Sequence, residues 1–93
     1  MLTLDSVLRI PAHVMFAVVE GDAVLLDTQT NKYYALDEAG ARFWGLLDEG
    51  KSLREGCQVL LDEYEVETEQ LEQDILELLD RLVSNGLVEV LES

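Results

Sequence analysis

The sequence has little of the chemistry on which most enzymes and metal sites depend. Its 93 residues include one cysteine, one histidine and one proline. A lone cysteine excludes an internal disulfide and a zinc site built on paired thiolates. The sequence also lacks a glycine-rich phosphate loop, an HExxH motif and a credible Ser/His/Asp or Cys/His set. We therefore predict a protein that is not an enzyme and has no metal ion or organic cofactor.

The scarce cysteine and histidine have ordinary structural explanations. Cys57 lies just before Leu60 and Leu61, which favours a small apolar filler in a helix over a reactive thiol. His13 closely follows Pro11, and the sequence places no second ligand or nucleophile beside it. A surface or capping position is therefore the simpler interpretation of His13.

Basic residues are also few. The sequence has 6 Lys and Arg against 20 Asp and Glu, which gives a formal net charge of -14. Such a surface repels phosphates, which argues against a nucleic-acid or anionic-membrane partner. A cationic peptide or protein would associate faster with it, although acidity of this kind is also an ordinary solubility feature. No apolar run approaches the roughly 20 residues of a membrane span, and the start lacks a signal-peptide pattern. We expect one domain spanning residues 1–93 in the cytoplasm.

The stretch from Leu25 to Leu47 organises the predicted fold. It reads as a strand, a polar turn, a second strand and a helix that begins almost without a linker. A run of strand-forming residues, Val14–Glu20, precedes it, so the pattern predicts a three-stranded antiparallel meander that ends in Tyr33–Leu36. The first run is apolar without alternation, which predicts that both of its faces are at least partly covered. The last strand has no successor to pair with and is a candidate exposed edge.

Three helices are predicted after the meander. Asp37 is the candidate N-cap of the first, Ser52 with Glu55 forms a capping box for the second, and Thr68 is the candidate N-cap of the third. The third helix is predicted from about Glu69 to Asn85. The order predicts an α+β domain resembling a winged helix-turn-helix, with a three-stranded antiparallel sheet followed by three helices.

The third helix carries more apolar surface than one contact with a core requires. Leu71, Ile75, Leu78 and Leu82 form one stripe, and Leu76, Leu79 and Val83 form a second. Either the helix is wedged between the sheet and the other helices, or one stripe faces the core while the other lines a groove. An unpaired strand edge beside such a groove is typical of a site where a peptide adds as a strand.

Three sequence features in this order and spacing carry a family resemblance. They are VLLDTQTNKYYALDEAGARFWGLL, an LxxxxxxLLxEYxV helix, and leucines spaced ahead of a Gly-Leu-Val ending. From Pro11 to Val90 the chain resembles the PqqD-like recognition elements of pathways that make ribosomal, post-translationally modified peptides. It looks most like the stand-alone leader-binding proteins of lasso-peptide pathways, often called B1 proteins.

The resemblance implies how and what the protein binds. In the family a precursor's leader adds as an antiparallel strand to the meander's third strand, in a cleft against the third helix. Leader delivery to a cysteine-protease-like peptidase is implied, and a lasso cyclase is a further partner that the resemblance allows. The resemblance places the peptide contacts at Lys32, Tyr33, Tyr34, Ala35, Leu36, Leu71, Asp74, Ile75, Leu78, Arg81 and Leu82. The alternative hypothesis is a winged-helix regulator that binds another protein or DNA.

Overall fold

A computed structural model describes residues 2–91, so Met1, Glu92 and Ser93 at the ends of the predicted domain lie outside the described residues. The elements are β1 Leu8–Arg9, β2 Val14–Val19, β3 Asp22–Asp27, β4 Lys32–Leu36, α1 Glu38–Asp48, α2 Leu53–Glu63, α3 Thr68–Ser84 and β5 Glu89–Val90. The predicted α+β fold is confirmed, with an antiparallel β2-β3-β4 sheet followed by three helices. Within the described range, no helix is long and apolar enough to cross a membrane.

The β2-β3-β4 sheet has one buried face and one exposed face. Leu25, opposite Phe16 on β2 and Tyr34 on β4, has no exposed surface and marks the face toward the helices. Met15 and Tyr33 point the other way and are exposed. The prediction that both faces of Val14–Val19 are at least partly covered is therefore wrong for the outer face, where Met15 and Val19 are each 54% exposed. Within residues 2–91 the helices cover only one face, because each strand's side chains alternate and no second layer packs behind them.

The helices begin largely where their capping residues predict. The Asp37 carboxylate accepts the Gly40 N–H at 2.7 Å and caps α1. Ser52 and Glu55 exchange both bonds of a capping box at the start of α2. The prediction for α3 is wrong, because Glu67 is its N-cap residue, without a side-chain hydrogen bond, and Thr68 is already helical. Threonine at this position therefore does not satisfy an orphan N–H at the start of α3.

The core lies between the buried sheet face and the three helices. Phe43 on α1, Leu60 on α2 and Leu79 on α3 are each almost completely buried. Cys57 packs among them as predicted, and burial, reinforced by the negative charge of Glu72, raises its pKa to about 11. The Cys57 thiol is therefore protonated near neutral pH, which makes it a poor nucleophile.

The two ends of the described chain meet in a small second sheet. Leu8 and Arg9 of β1 pair antiparallel with Val90 and Glu89 of β5. The Arg9 guanidinium forms an ion pair with the Glu89 carboxylate. The tail after α3 thus returns as an extended strand, and its pairing with β1 depends on a contact between residues about 80 positions apart. The pairing fixes the segment that follows α3.

The Phe43 ring of α1 packs closely against α2 at Gly56. A Cβ atom at this position would lie 2.7 Å from Cε1 of the buried Phe43 ring. We expect Gly56→Ala to lower the free energy of unfolding by about 1–3 kcal/mol because the core is overpacked. Gly45→Ala is the matched control, since nothing lies within 4 Å of its Cβ position, and a gain of about 0.5–1 kcal/mol is expected there. Urea unfolding of both variants measures the difference, and equal stability would contradict the close approach.

Candidate functional site

A cleft opens between the end strand of the three-stranded sheet and the third helix. It has a volume of about 400 Å³, and we call it the β4–α3 cleft. Its lining comprises Tyr34, Ala35, Leu36, Asp37, Ala39, Gly40, Leu71, Asp74, Ile75, Glu77, Leu78 and Arg81. One wall is therefore the last part of β4 with the first turn of α1, and the other wall is one flank of α3.

The strand wall of the cleft is a free sheet edge. Within the described residues β4 pairs with β3 on one side only, and β3 itself lies between β2 and β4. Backbone N–H and C=O groups on the free side of Lys32–Leu36 therefore have no strand partner. An extended peptide can complete this ladder while its side chains enter the cleft. The predicted exposed edge is thus present and opens directly into a groove.

The structure brings together most of the residues that the resemblance placed in the site. The β4–α3 cleft contains eight of the eleven, namely Tyr34, Ala35, Leu36, Leu71, Asp74, Ile75, Leu78 and Arg81. Lys32 and Tyr33 instead line a neighbouring cavity of about 380 Å³, next to Asn85 and Gly86 at the end of α3. Tyr34 belongs to both cavities, so together they follow the free edge of β4.

Leu82 lies apart from the other predicted residues. It is 1% exposed in the hydrophobic core and lines neither cavity. Rotation about the helix axis does not separate Leu82 from the cleft floor, since at 100° per residue it lies between Leu71 and Ile75. Leu82 lies about one turn beyond Leu78 along α3, where its side chain packs in the core. The structure therefore gives Leu82 a packing position behind the cleft and no contact surface within it.

Helix α3 divides between core and cleft differently from either predicted stripe. Its buried residues are Leu71, Ile75, Leu79 and Leu82, which come from both stripes. The cleft lies on the flank of that buried band, where Leu78 is half-buried and Asp74 and Arg81 are exposed. Leu76 lies on the opposite flank with Glu72 and Asp80. One band thus packs on the core and floors the cleft, while Leu78 forms its wall.

Four residues of the lining were not predicted from the sequence: Asp37, Ala39, Gly40 and Glu77. A Cβ atom at Gly40 would lie 3.3 Å from Cδ2 of Leu78, so α1 approaches α3 closely at this end of the cleft. Position along the sequence could have identified two of them, because Asp37 and Gly40 closely follow the edge strand. The N-cap role of Asp37 was a sufficient explanation for this residue in the sequence, so its position at the cleft was not predicted.

Charged groups lie around the rim of the cleft. Asp74 accepts a hydrogen bond from Nε2 of Gln70 at 2.8 Å, and Glu77 lies one turn further along α3. Arg81 follows, and its interaction with the Tyr34 side chain raises the pKa of the guanidinium above its usual range. Within residues 2–91 no cluster of three His, Cys, Asp or Glu side chains could hold a metal ion. The arrangement suits the recognition of a polar, extended chain.

The neighbouring cavity contains a buried carboxylate, Asp27, at the end of β3. Oδ1 of Asp27 accepts the backbone N–H groups of Gln29 at 2.9 Å and Thr30 at 3.3 Å. Its Oδ2 lies 3.9 Å from Nε2 of His13, which is half-buried at the start of β2. Burial opposes ionisation of Asp27, but these hydrogen bonds and His13 together lower its pKa below the ordinary 3.8. The carboxylate therefore orders the turn that leads into β4.

We expect Asp27 to stabilise the fold in a pH-dependent way. Because its pKa is lower in the folded than in the unfolded chain, its contribution is complete above the ordinary value of 3.8 and is lost as pH falls through the folded value. The stability difference between wild type and Asp27→Asn should therefore shrink from pH 7 to pH 3, as measured by urea unfolding. Asp22→Asn, an exposed position at the other end of β3, is the control. A difference that stays constant with pH would contradict this role.

Comparison with protein families assigns most of the chain. Residues 22–88 match the family described as Coenzyme PQQ synthesis protein D (PqqD). The chain belongs to this PqqD family, and it is a PqqD-like recognition element of the kind the sequence resemblance indicated. A comparison with curated protein sequences finds no match.

Two solved structures show which members of the class the chain resembles. It is similar to TbiB1, solved in complex with the TbiA(beta) leader peptide, at 36% identity and a TM-score of 0.79, over 87% of this chain and 94% of TbiB1. It is also similar to a lasso peptide synthetase B1 complexed with the leader peptide, at 32% identity and a TM-score of 0.80. That match covers 88% of this chain and 96% of the synthetase chain. The predicted resemblance to B1 proteins is thereby confirmed.

Proposed function

We propose that this protein binds the leader region of a ribosomally made precursor peptide and performs no catalysis itself. The observation that carries the proposal is the free edge of β4, which opens into a cleft floored by Leu71 and Ile75. Similarity over most of the chain to two proteins solved with leader peptides supports it. The proposed occupant is therefore an extended peptide that becomes a fourth strand of the sheet.

The two walls of the cleft have different parts in the proposed binding. Backbone groups of Lys32–Leu36 would form the main-chain hydrogen bonds, which give affinity with little dependence on sequence. Alternate side chains of the leader would enter the β4–α3 cleft beside Leu78 and the neighbouring cavity beside Tyr33. Asp74 and Arg81 are proposed to fix polar groups of the peptide. Specificity then comes from the cavities and the charged groups at their rim.

Delivery of the bound leader to a separate peptidase is the proposed second half of the function. A strand held at one edge of a single domain leaves its flanking residues outside the cleft, where a partner can reach them. We propose a cysteine-protease-like leader peptidase as that partner and a lasso cyclase as a later one. Since precursors of this kind are made on ribosomes, the proposed place of binding is the cytoplasm. A peptidase assay with and without this protein tests delivery, which predicts faster leader cleavage in its presence.

The binding proposal is tested by an NMR titration of the isotope-labelled protein. The TbiA(beta) leader peptide and the leader of the precursor encoded nearest to this gene are the two ligands, with a scrambled version of each as the control. We expect chemical-shift changes to concentrate at Lys32–Leu36 and along residues 71–81, and to be absent with the scrambled peptides. No shifts at millimolar leader, or shifts confined to the exposed sheet face around Met15, would overturn the proposal.

A further inference from the structure

The β4–α3 cleft has an uneven distribution of charge along its length. At the end nearest Leu36, Asp37 lies on the strand wall, and Asp74 and Glu77 lie on the helix wall. Toward the other end, Arg81 follows on α3, and Lys32 lies at the start of β4. Both walls therefore change from acidic to basic in the same direction along the free edge.

The acidic end retains negative charge that no salt bridge among the described residues neutralises, although Arg81, one turn beyond Glu77, attracts the Glu77 carboxylate at longer range. Asp74 and Glu77 accept hydrogen bonds only from the neutral amides of Gln70 and Gln73 among the described residues, and neither forms a salt bridge there. The carboxylate in the neighbouring cavity differs, because Asp27 is held by two backbone N–H groups and lies near His13. The negative charge of Asp27 is therefore partly satisfied by the protein itself, which leaves Lys32 as the freer charge at that end.

The direction of the strand wall determines which end of a peptide meets which charge. β4 runs from Lys32 at the basic end to Leu36 at the acidic end. A peptide added antiparallel to β4 therefore begins beside Asp37 and Asp74 and ends beside Lys32. In this orientation, cationic side chains are favoured in the first residues of the bound strand, and acidic side chains are favoured in the last.

We propose that the β4–α3 cleft selects the direction and register of its peptide by charge, and that its ligands have Lys or Arg at the start of the bound strand. The inference rests on the proposed function and narrows it to a class of leader. Main-chain hydrogen bonds alone distinguish poorly between two registers of the bound peptide that differ by two residues, since the same backbone groups of β4 are paired in both. A charged side chain at one end of the peptide changes its distance to the charged groups of the cleft with each shift. The electrostatic energy therefore favours one register.

Two leader peptides of identical composition test the proposal. Starting from whichever leader binds in the titration, one lysine is placed at the first residue of the strand-forming segment in one peptide and at the last residue in the other. Because both peptides have the same net charge, general attraction to this acidic protein is equal for both. We expect the first peptide to bind roughly 3- to 10-fold more tightly at low salt, since two exposed charge contacts are exchanged. At 0.5 M salt the difference should fall below about twofold.

Matched variants assign the preference to the cleft. Asp74→Asn with Glu77→Gln removes the acidic rim and should reduce the preference below about twofold. Asp80→Asn with Glu72→Gln removes two carboxylates from the opposite flank of α3 and should preserve it. Equal binding of the two peptides to the wild type, or an equal effect of both double variants, overturns the inference while the proposed function stands. Binding of neither peptide, although the parent leader binds, also overturns it, whereas no binding of any leader overturns the proposed function itself.

Discussion

Leu78→Glu is expected to weaken leader binding by at least about 2 kcal/mol, or roughly 30-fold in Kd. Leu78 is half-buried on the cleft flank of α3, where its side chain faces the groove beside Gly40. A carboxylate there would be desolvated by an apolar peptide side chain without a partner, which is unfavourable. It would also add to the negative charge of Asp74 and Glu77. Isothermal titration calorimetry with the leader measures the loss.

Leu76→Glu is the matched control for this prediction. Leu76 is also a half-buried leucine of α3, but it lies on the flank with Glu72 and Asp80, outside the cleft. Leu76→Glu introduces the same charge and the same residue type as Leu78→Glu. The affinity of this variant for the leader should nevertheless remain within about twofold of the wild-type value. Thermal unfolding of both variants verifies that each is folded. Equal weakening by the two variants would show that Leu78 acts through stability or net charge and would remove it from the site.

Ile75 is not a suitable position for such a test, although it lines the floor of the cleft. It is 3% exposed and packs in the hydrophobic core, so a charged residue there would unfold the domain before it reported on binding. The same restriction applies to Leu71. The informative substitutions are those at the rim and wall of the cleft, where side chains contact solvent in the free protein.

Phe43→Ala is expected to lower the free energy of unfolding by about 3–5 kcal/mol. The Phe43 ring is 1% exposed at the junction of α1 and α2, against the backbone of Gly56. Removal of the ring leaves a cavity, and the surrounding helices can move to fill only part of it. For a domain whose total stability is of the order of 5–15 kcal/mol, the loss is large enough to populate unfolded chains. Chemical denaturation with guanidinium chloride measures the change in midpoint.

The other phenylalanine of the chain provides the control. Phe16 is 42% exposed on β2, at the far edge of the sheet from the cleft. Phe16→Ala removes the same group but should cost clearly less, about 1–2 kcal/mol, because 42% of the residue's surface stays in water on folding and its removal leaves no closed cavity. Comparable losses from the two substitutions would mean that the Phe16 ring is covered in solution, by a partner or by a second copy.

The correct predictions came from local patterns. The polar turn and strand formers around Tyr33 and Tyr34 identified β4, and the capping groups of Asp37 and Ser52 placed the starts of α1 and α2. The order of these motifs also indicated the family, which the match over residues 22–88 confirms. Such signals depend on neighbouring residues and on backbone preferences, so they are readable along the chain.

The incorrect predictions concern which faces and side chains are covered by other parts of the fold. The unbroken apolar run at Val14–Val19 predicted two covered faces, but hydrophobicity reports a preference for burial and not the presence of a covering layer. The spacing of Leu82 matched the contact stripe, but Leu82 is 1% exposed and packs in the core. The pairing of Leu8 with Val90 was equally inaccessible, because residues so distant in sequence leave no local pattern.

By itself, the sequence determined the class of fold, the family, the edge strand and the helix that would face it. These follow from periodicity, capping chemistry and motif order, all of which are short-range properties of the chain. Only the tertiary structure decided that Leu78 forms the cleft wall and Leu82 the core, and that Asp37 joins Asp74 and Glu77 at one end of the groove. The reason is geometric, since both the rotation of the helix and the position of each residue along it decide which side chains face a groove, and packing of the whole core sets both.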